Sequence, residues 1–187
     1  STRALHSGIH RSEQRENSLA MFLTSSYIFE SAEQARAVFA DEEDGNIYSR
    51  FTNPTVAAFE EKIAALEGGE KAIATASGMA AIATVFLSLL SSGDHLVLSR
   101  SVFGSTTNMA NTVLARMGVG VSRVALSDLD AWRKAITPKT RMFFAETPAN
   151  PTLELVDIEA LAQLAQEHGI LLVLDNVFCT PCLQQPL

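Results

Sequence analysis

The sequence predicts an α/β fold, a mostly parallel β-sheet flanked by helices on both faces. Three features lead to that class. From Lys71 onward, short apolar runs alternate with longer helical patterns, the order that builds strand–helix–strand units. Runs such as Leu171-Leu172-Val173-Leu174 are apolar on both faces, as strands covered on two sides must be. Met79–Leu90 is almost continuously apolar, broken only by Thr84 and Ser88. Such a run makes a buried helix and is too short to span a bilayer.

Residues 1–23 show little periodicity and read as an arm, followed by a short extended piece over 24–29. Ser31-Ala32-Glu33-Gln34 is a capping-box pattern that opens a helix to about Ala40. Asp41-Glu42-Glu43-Asp44-Gly45-Asn46 is a charged turn. Its carboxylates lack the alternating spacing of a calcium loop, which favours a solvated loop over a metal site. In the extended segment 47–52, Tyr48 and Arg50 share one face, a phenolic hydroxyl beside a guanidinium. Both suit a phosphate, although an exposed strand with an ordinary surface arginine is the plainer reading. Asn53-Pro54 is a helix start, with Asn as cap and Pro at the first position. The helix carries Val56, Phe59, Ile63 and Leu66 at core spacing and stops at Gly68-Gly69. Residues 1–53 are accordingly expected as an N-terminal arm, and 54–187 as part of the main domain.

Beyond that point the patterns predict strands at 71–75, 95–99, 119–124, 141–145 and 170–175. Helices are predicted at 79–91, 104–117, 128–136 and 157–168. Ser77, Ser127 and Asp157 are the expected caps, with Gly118 and Gly169 as stops.

In open α/β sheets ligands bind beyond the carboxyl ends of the strands. That rule selects Ser77-Gly78-Met79, the Ser101–Ser105 turn with Phe103, the Glu146–Pro151 turn with Asn150, and Asp175-Asn176. Ser77 and Gly78 open a helix whose free N–H groups and positive dipole end suit an anion; a simple cap is the alternative. Asp175 closes the most apolar strand, where a carboxylate is costly unless it is paired; helix capping would also account for it. Asn150 stands between Pro148 and Pro151 and by default reads as turn chemistry.

A net charge of −7 argues against nucleic acid or an anionic membrane as partner. No charged n-region precedes an apolar h-region in 1–18, so no secretory signal is expected. Cys179 and Cys182 are too few for a disulfide framework, and two thiols under a loop are favoured over redox or zinc chemistry. The four histidines have no metal-ligand spacing, and no metal site is expected. Neither G-x-G-x-x-G after the first strand nor G-x-x-x-x-G-K-[ST] is present. A cytoplasmic enzyme fits these features best.

Five stretches in order carry a resemblance: Y-S-R-F-T-N-P-T (48–55), L-E-G-G-E-K-A-I-A-T-A-S-G-M-A-A-I (66–82), S-G-D-H (92–95), E-T-P-A-N-P (146–151) and L-D-N-V-F-C-T-P (174–181). Together they resemble the cysteine/methionine-metabolism family of pyridoxal 5′-phosphate (PLP) enzymes, from about residue 20 to the end. The segments S-V-F-G-S-T (101–106) and C-L-Q-Q-P-L (182–187) are most similar to its O-succinylhomoserine sulfhydrylase branch.

The resemblance implies the aspartate-aminotransferase-like fold (fold type I) and PLP as cofactor. Ser77, Gly78 and Met79 would then hold the phosphate, with Tyr48 and Arg50 reaching it from a neighbouring subunit. Asp175 would pair with the pyridine nitrogen, Asn150 would bond the phenolic oxygen, and Phe103 would stack on the ring. Asp175 and Phe103 are the residues expected to take part in catalysis. Most relatives carry Tyr at Phe103, and loss of that hydroxyl disfavours lyase-type proton shuttling.

The implied reaction is γ-replacement on an O-acyl homoserine, with O-succinyl favoured, by sulfide or a thiol to give homocysteine or cystathionine. Cystathionine γ-synthase or γ-lyase activity is the alternative within the family. The implied assembly is a homo-oligomer, a dimer of dimers with shared active sites. The family's cofactor-bearing lysine lies in a downstream S-x-T-K segment, and Lys62, Lys71, Lys134 and Lys139 have no such context. The chain is therefore expected to be the N-terminal half of its enzyme, to need a C-terminal half as partner, and to be inactive alone; a noncatalytic fragment is the reading from a different class.

Overall fold

A computed structural model describes residues 2–187, which divide into two compact units. One ends at Ala74 and takes in Leu187; the other is Thr75–Pro186.

The first unit contains α1 (Thr2–His6), α2 (Ala32–Phe39) and α3 (Pro54–Glu67). α1 packs against α3. It was not expected, because five residues are too few to display an apolar period. Gly8, at φ +68°, follows it where a Cβ would lie 2.2 Å from the Ala58 carbonyl oxygen, so only glycine passes there. Ser31 caps α2 by accepting the Gln34 N–H, and the Gln34 side chain accepts from Glu30 N–H rather than from the cap's own amide. Asn53 caps α3 through Thr55 N–H while its amide donates to Phe22 O and Ser49 Oγ, which explains its burial. Gly68 ends α3 in the left-handed region. Ser26 and Tyr48 form a single antiparallel bridge.

The strand expected at 71–75 is not formed. A strand needs a hydrogen-bonding neighbour, and the described residues supply none. Ala74 N–H instead donates to the Glu60 carboxylate at 2.7 Å, and Ile73 is 81% exposed.

The second unit is a four-stranded parallel sheet of β1 (His95–Ser99), β2 (Gly120–Val124), β3 (Thr140–Glu146) and β4 (Leu171–Asp175), in the order β2-β1-β3-β4. The two-residue period of a strand sorts its core. Val97 and Phe143 point into one cluster with Trp132, Leu161 and Leu164, from α6 (Leu129–Lys134) and α7 (Ile158–Glu167). Leu96, Leu98, Met142 and Phe144 point into the other, with Phe86 of α4 (Gly78–Leu89) and Leu114. Trp132 meets Phe143 at 5.1 Å between ring centres, and its indole N–H is satisfied by Leu126 O at 3.1 Å.

Four details depart from the sequence reading. α5 (Gly104–Met109) passes into a π-helical turn, Ala110–Leu114, whose wider period turns both Ala110 and Leu114 into the core. α6 is capped by Asp128, which accepts Ala131 N–H, rather than by Ser127. α4 is not buried all round: Phe86 is fully enclosed, but Leu87 and Leu89 are about half exposed, because only one face meets the sheet. β4 shows the same one-sidedness. It pairs with β3 alone, so its apolar residues stay half-buried and Leu171 is exposed. Among the described residues no helix is long and apolar enough to cross a membrane.

Candidate functional site

Because the sheet is parallel, every strand delivers the chain to the same edge. Phe103 follows β1, Asn150 follows β3 and Asp175 closes β4, and these three strands are adjacent. Glu146 pairs with Asp175 across β3 and β4, and Thr147 N–H donates to Asp175 O at 3.1 Å. Gln184 then ties the loop after β4 to the loop after β3, donating to Asn176 Oδ1 and to Thr147 O, both at 2.8 Å.

Each expected residue has an identifiable state. Phe103 is 48% exposed, so about half of its surface is open to a ligand. Asp175 is half-buried rather than enclosed, and among the described residues its carboxylate accepts only Val177 N–H, at 3.1 Å. Its desolvation is therefore smaller than the sequence suggested, and acceptor capacity remains. Asn150 is held through its backbone N–H, which leaves its side chain free of protein partners among the described residues. Ser77 Oγ is engaged as the cap of α4, accepting Ala80 N–H at 3.1 Å. The N–H groups of Gly78 and Met79 have no partner among the described residues. A Cβ built on Gly78 would meet nothing within 4 Å, so the backbone there is open to a ligand.

Tyr48 and Arg50 belong to the first unit. The segment expected to be extended instead turns after Tyr48, whose carbonyl accepts Phe51 N–H at 2.8 Å and Thr52 N–H at 3.1 Å. It is this turn rather than strand alternation that brings the two side chains together. The Arg50 guanidinium stands 5.5 Å from the centre of the Tyr48 ring and 5.0 Å from that of Phe51. Exposed cation–π contacts contribute about 0.5–1 kcal/mol, less than a charge-assisted phosphate contact, so a phosphate would win this guanidinium.

The sequence reading placed Glu146 at the start of a candidate turn but gave it no role. It is 2% exposed, and its two oxygens accept Phe103 N–H at 2.7 Å and Asn150 N–H at 2.8 Å. The available signal was a carboxylate ending a strand otherwise apolar from Met142. In the second unit, Lys134 ends α6 and Lys139 precedes β3, so both stand at the amino edge of the sheet, away from this constellation. Cys179 is half-buried, Cys182 exposed, and both are free thiols.

The family model for Cys/Met metabolism PLP-dependent enzymes matches residues 1–187. The chain belongs to this family. Its cofactor is accordingly pyridoxal phosphate. Among curated relatives, an O-succinylhomoserine sulfhydrylase of Pseudomonas aeruginosa is 55% identical over 186 residues, covering 100% of this chain and 46% of the relative. An L-methionine gamma-lyase of Pseudomonas deceptionensis is 42% identical, covering 100% of this chain and 47% of the relative. Among solved structures, a Campylobacter jejuni protein described as an O-acetylhomoserine (thiol)-lyase superposes with a TM-score of 0.93 at 37% identity, over 99% of this chain and 46% of that one. That structure contains a lysine carrying the pyridoxyl phosphate group. The fold is thus that of PLP-dependent enzymes, and the chain spans less than half the length of the relatives it matches.

The residues present fit the group. Two free N–H groups at a helix N-terminus suit a phosphate, a half-exposed aromatic side chain suits a planar ring, and a half-buried carboxylate with spare acceptor capacity suits a protonated ring nitrogen.

Proposed function

We propose that this chain carries the N-terminal half of the active site of an enzyme that replaces the γ-substituent of an O-acyl homoserine, O-succinyl by preference, with sulfide or a thiol. The observation that carries this reading is the gathering of Phe103, Asn150 and Asp175 on three adjacent strand ends, tied together through Glu146 and Thr147.

The division of labour follows from each group's chemistry. Gly78 and Met79 donate backbone N–H groups to the phosphate, with Ser77 fixing the helix start. Phe103 covers one face of the ring and excludes water from it. Asn150 donates to the ring's phenolic oxygen. Asp175 keeps a proton on the ring nitrogen by placing a negative charge beside it. Bound PLP supplies an electron sink that holds the pair left when a proton leaves the substrate carbon beside the amino group. Tyr48 and Arg50, on the arm formed by residues 1–53, complete the phosphate site of a neighbouring copy in a homo-oligomer. The base that moves the substrate protons lies in the other half of the enzyme, since the lysines of the second unit stand at the wrong edge of the sheet.

Preference for replacement over elimination is supported by the 55% identity to a sulfhydrylase against 42% to a γ-lyase, and by phenylalanine at position 103. The full-length protein, supplied with PLP, O-succinyl homoserine and sulfide, is expected to release succinate and homocysteine in equal amounts. Release of ammonia and an α-keto acid as the main products would instead identify an eliminating enzyme. No turnover of any homoserine ester would support the noncatalytic reading.

A further inference from the structure

Glu146 is a buried carboxylate that the proposed chemistry does not use. It ends β3 at 2% exposure, where a charge is costly unless hydrogen bonds replace its water. Two do. Oε2 accepts Phe103 N–H at 2.7 Å, from the loop after β1, and Oε1 accepts Asn150 N–H at 2.8 Å, from the loop after β3. These short, charge-assisted bonds are among the stronger ones a protein makes. Phe103 precedes α5 without a side-chain cap; its carbonyl accepts Thr107 N–H at 3.1 Å, and the Glu146 carboxylate holds its N–H from the other strand end.

The two anchored residues are those assigned to different parts of one ring, Phe103 to its face and Asn150 to its oxygen. A planar carboxylate gripping both amides sets the gap and tilt between them. We infer that Glu146 is a positioning residue for the cofactor ring, a rigid fork that spaces the stacking phenylalanine against the asparagine. This rests on the functional reading above. A neutral amide cannot replace it: Gln keeps one acceptor but turns an N–H₂ donor toward the second backbone N–H. Asp keeps the charge but is one methylene too short to reach both loops.

The test uses the full-length protein and pyridoxal phosphate. Glu146→Gln and Glu146→Asp are compared with the parent in cofactor affinity, in the visible circular dichroism of the saturated holoenzyme, and in thermal midpoint of the apoprotein. Both variants should bind the cofactor more weakly by roughly tenfold or more, the scale for loss of a hydrogen bond to a charged group. Both should also alter the visible dichroism at saturation, because the ring sits at a changed angle. A purely structural carboxylate would lower the apoprotein midpoint and leave the dichroism of the saturated site unchanged, which overturns the inference. If Gln and Asp both prevent folding, hydrogen exchange of the parent decides. Phe103 and Asn150 amides should be protected far beyond the exposed amides beside them, and the protection should deepen when cofactor is added. Protection that is absent, or indifferent to cofactor, overturns the inference. A parent that takes up no pyridoxal phosphate overturns the functional reading and this inference together, whereas a parent that binds it with Glu146 variants indistinguishable from it overturns the inference alone.

Discussion

Asp175 and His95 show how differently two titratable residues of one sheet are employed. Asp175 closes β4 at the carboxyl edge, half-buried, with a single backbone donor to its carboxylate. Asp175→Asn preserves the shape and that hydrogen bond but removes the charge. The full-length variant should still bind PLP while losing abstraction of the substrate's α-proton by several orders of magnitude, measured as loss of solvent deuterium exchange at that carbon. Exchange within about threefold of the parent would make Asp175 a structural turn residue. His95 lies at the opposite edge, buried between Thr140 Oγ1 at 2.8 Å and Ser122 Oγ at 2.9 Å, and bridges three strands. Burial lowers its pKa below the ordinary 6.5. A folded-state pKa below the unfolded one means the unfolded chain binds the proton first. The stabilisation is therefore whole above pH 6.5 and is lost as the pH falls below it. Urea unfolding should show stability falling from pH 7 to pH 5 in the parent, and a flatter profile in His95→Gln.

The elements show where pattern is a sufficient guide and where it is not. β1 and β3 were legible as short apolar runs, and α3 and α7 because a capping side chain and a glycine stop mark their ends. In α3 the apolar spacing misled, since Val56 and Phe59 are exposed and Ala58 and Ala64 are the buried residues. Asn53 and Asp157 make the expected cap bonds, and Gly118 and Gly169 take positive φ. The misreadings have physical causes. Lys71–Thr75 has strand composition, but a strand exists only with a neighbour. α6 offers both Ser127 and Asp128 at its start, and the carboxylate one residue later takes the free amide. Glu146 opened a shortlisted turn but received no role, because nothing in a linear pattern says that two loop amides will converge on one side chain. α4 is the most informative case, since its sequence is apolar all round while its packing is one-sided. Phe86 meets Phe144 edge to face at 5.1 Å and has no exposure, whereas Leu87 is 51% exposed. In this chain Phe86→Ala should cost about 3–5 kcal/mol of unfolding free energy. Leu87→Ala should change it by about 0.5 kcal/mol or less. Equal costs in urea titrations would mean that the outer face of α4 is covered as well.

At the scale of the molecule, a parallel sheet sends its loops to one edge, and the residues proposed for the cofactor ring stand there. The residues proposed to meet the ring could be shortlisted from sequence, because the rule that ligands sit beyond carboxyl ends needs only strand positions. For Tyr48 and Arg50 the residue types alone suited a phosphate, but that they would reach it from a neighbouring subunit was proposed by the resemblance, since spacing says nothing of a second copy. A crystal structure of the full-length protein with PLP tests all of this at once. The phosphate should lie on the N–H groups of Gly78 and Met79, joined by Tyr48 and Arg50 of a second copy, with the ring against Phe103, its nitrogen at Asp175 and its oxygen at Asn150. A cofactor bound away from the carboxyl edge of β1, β3 and β4, or a ring nitrogen facing any group other than Asp175, would contradict the account.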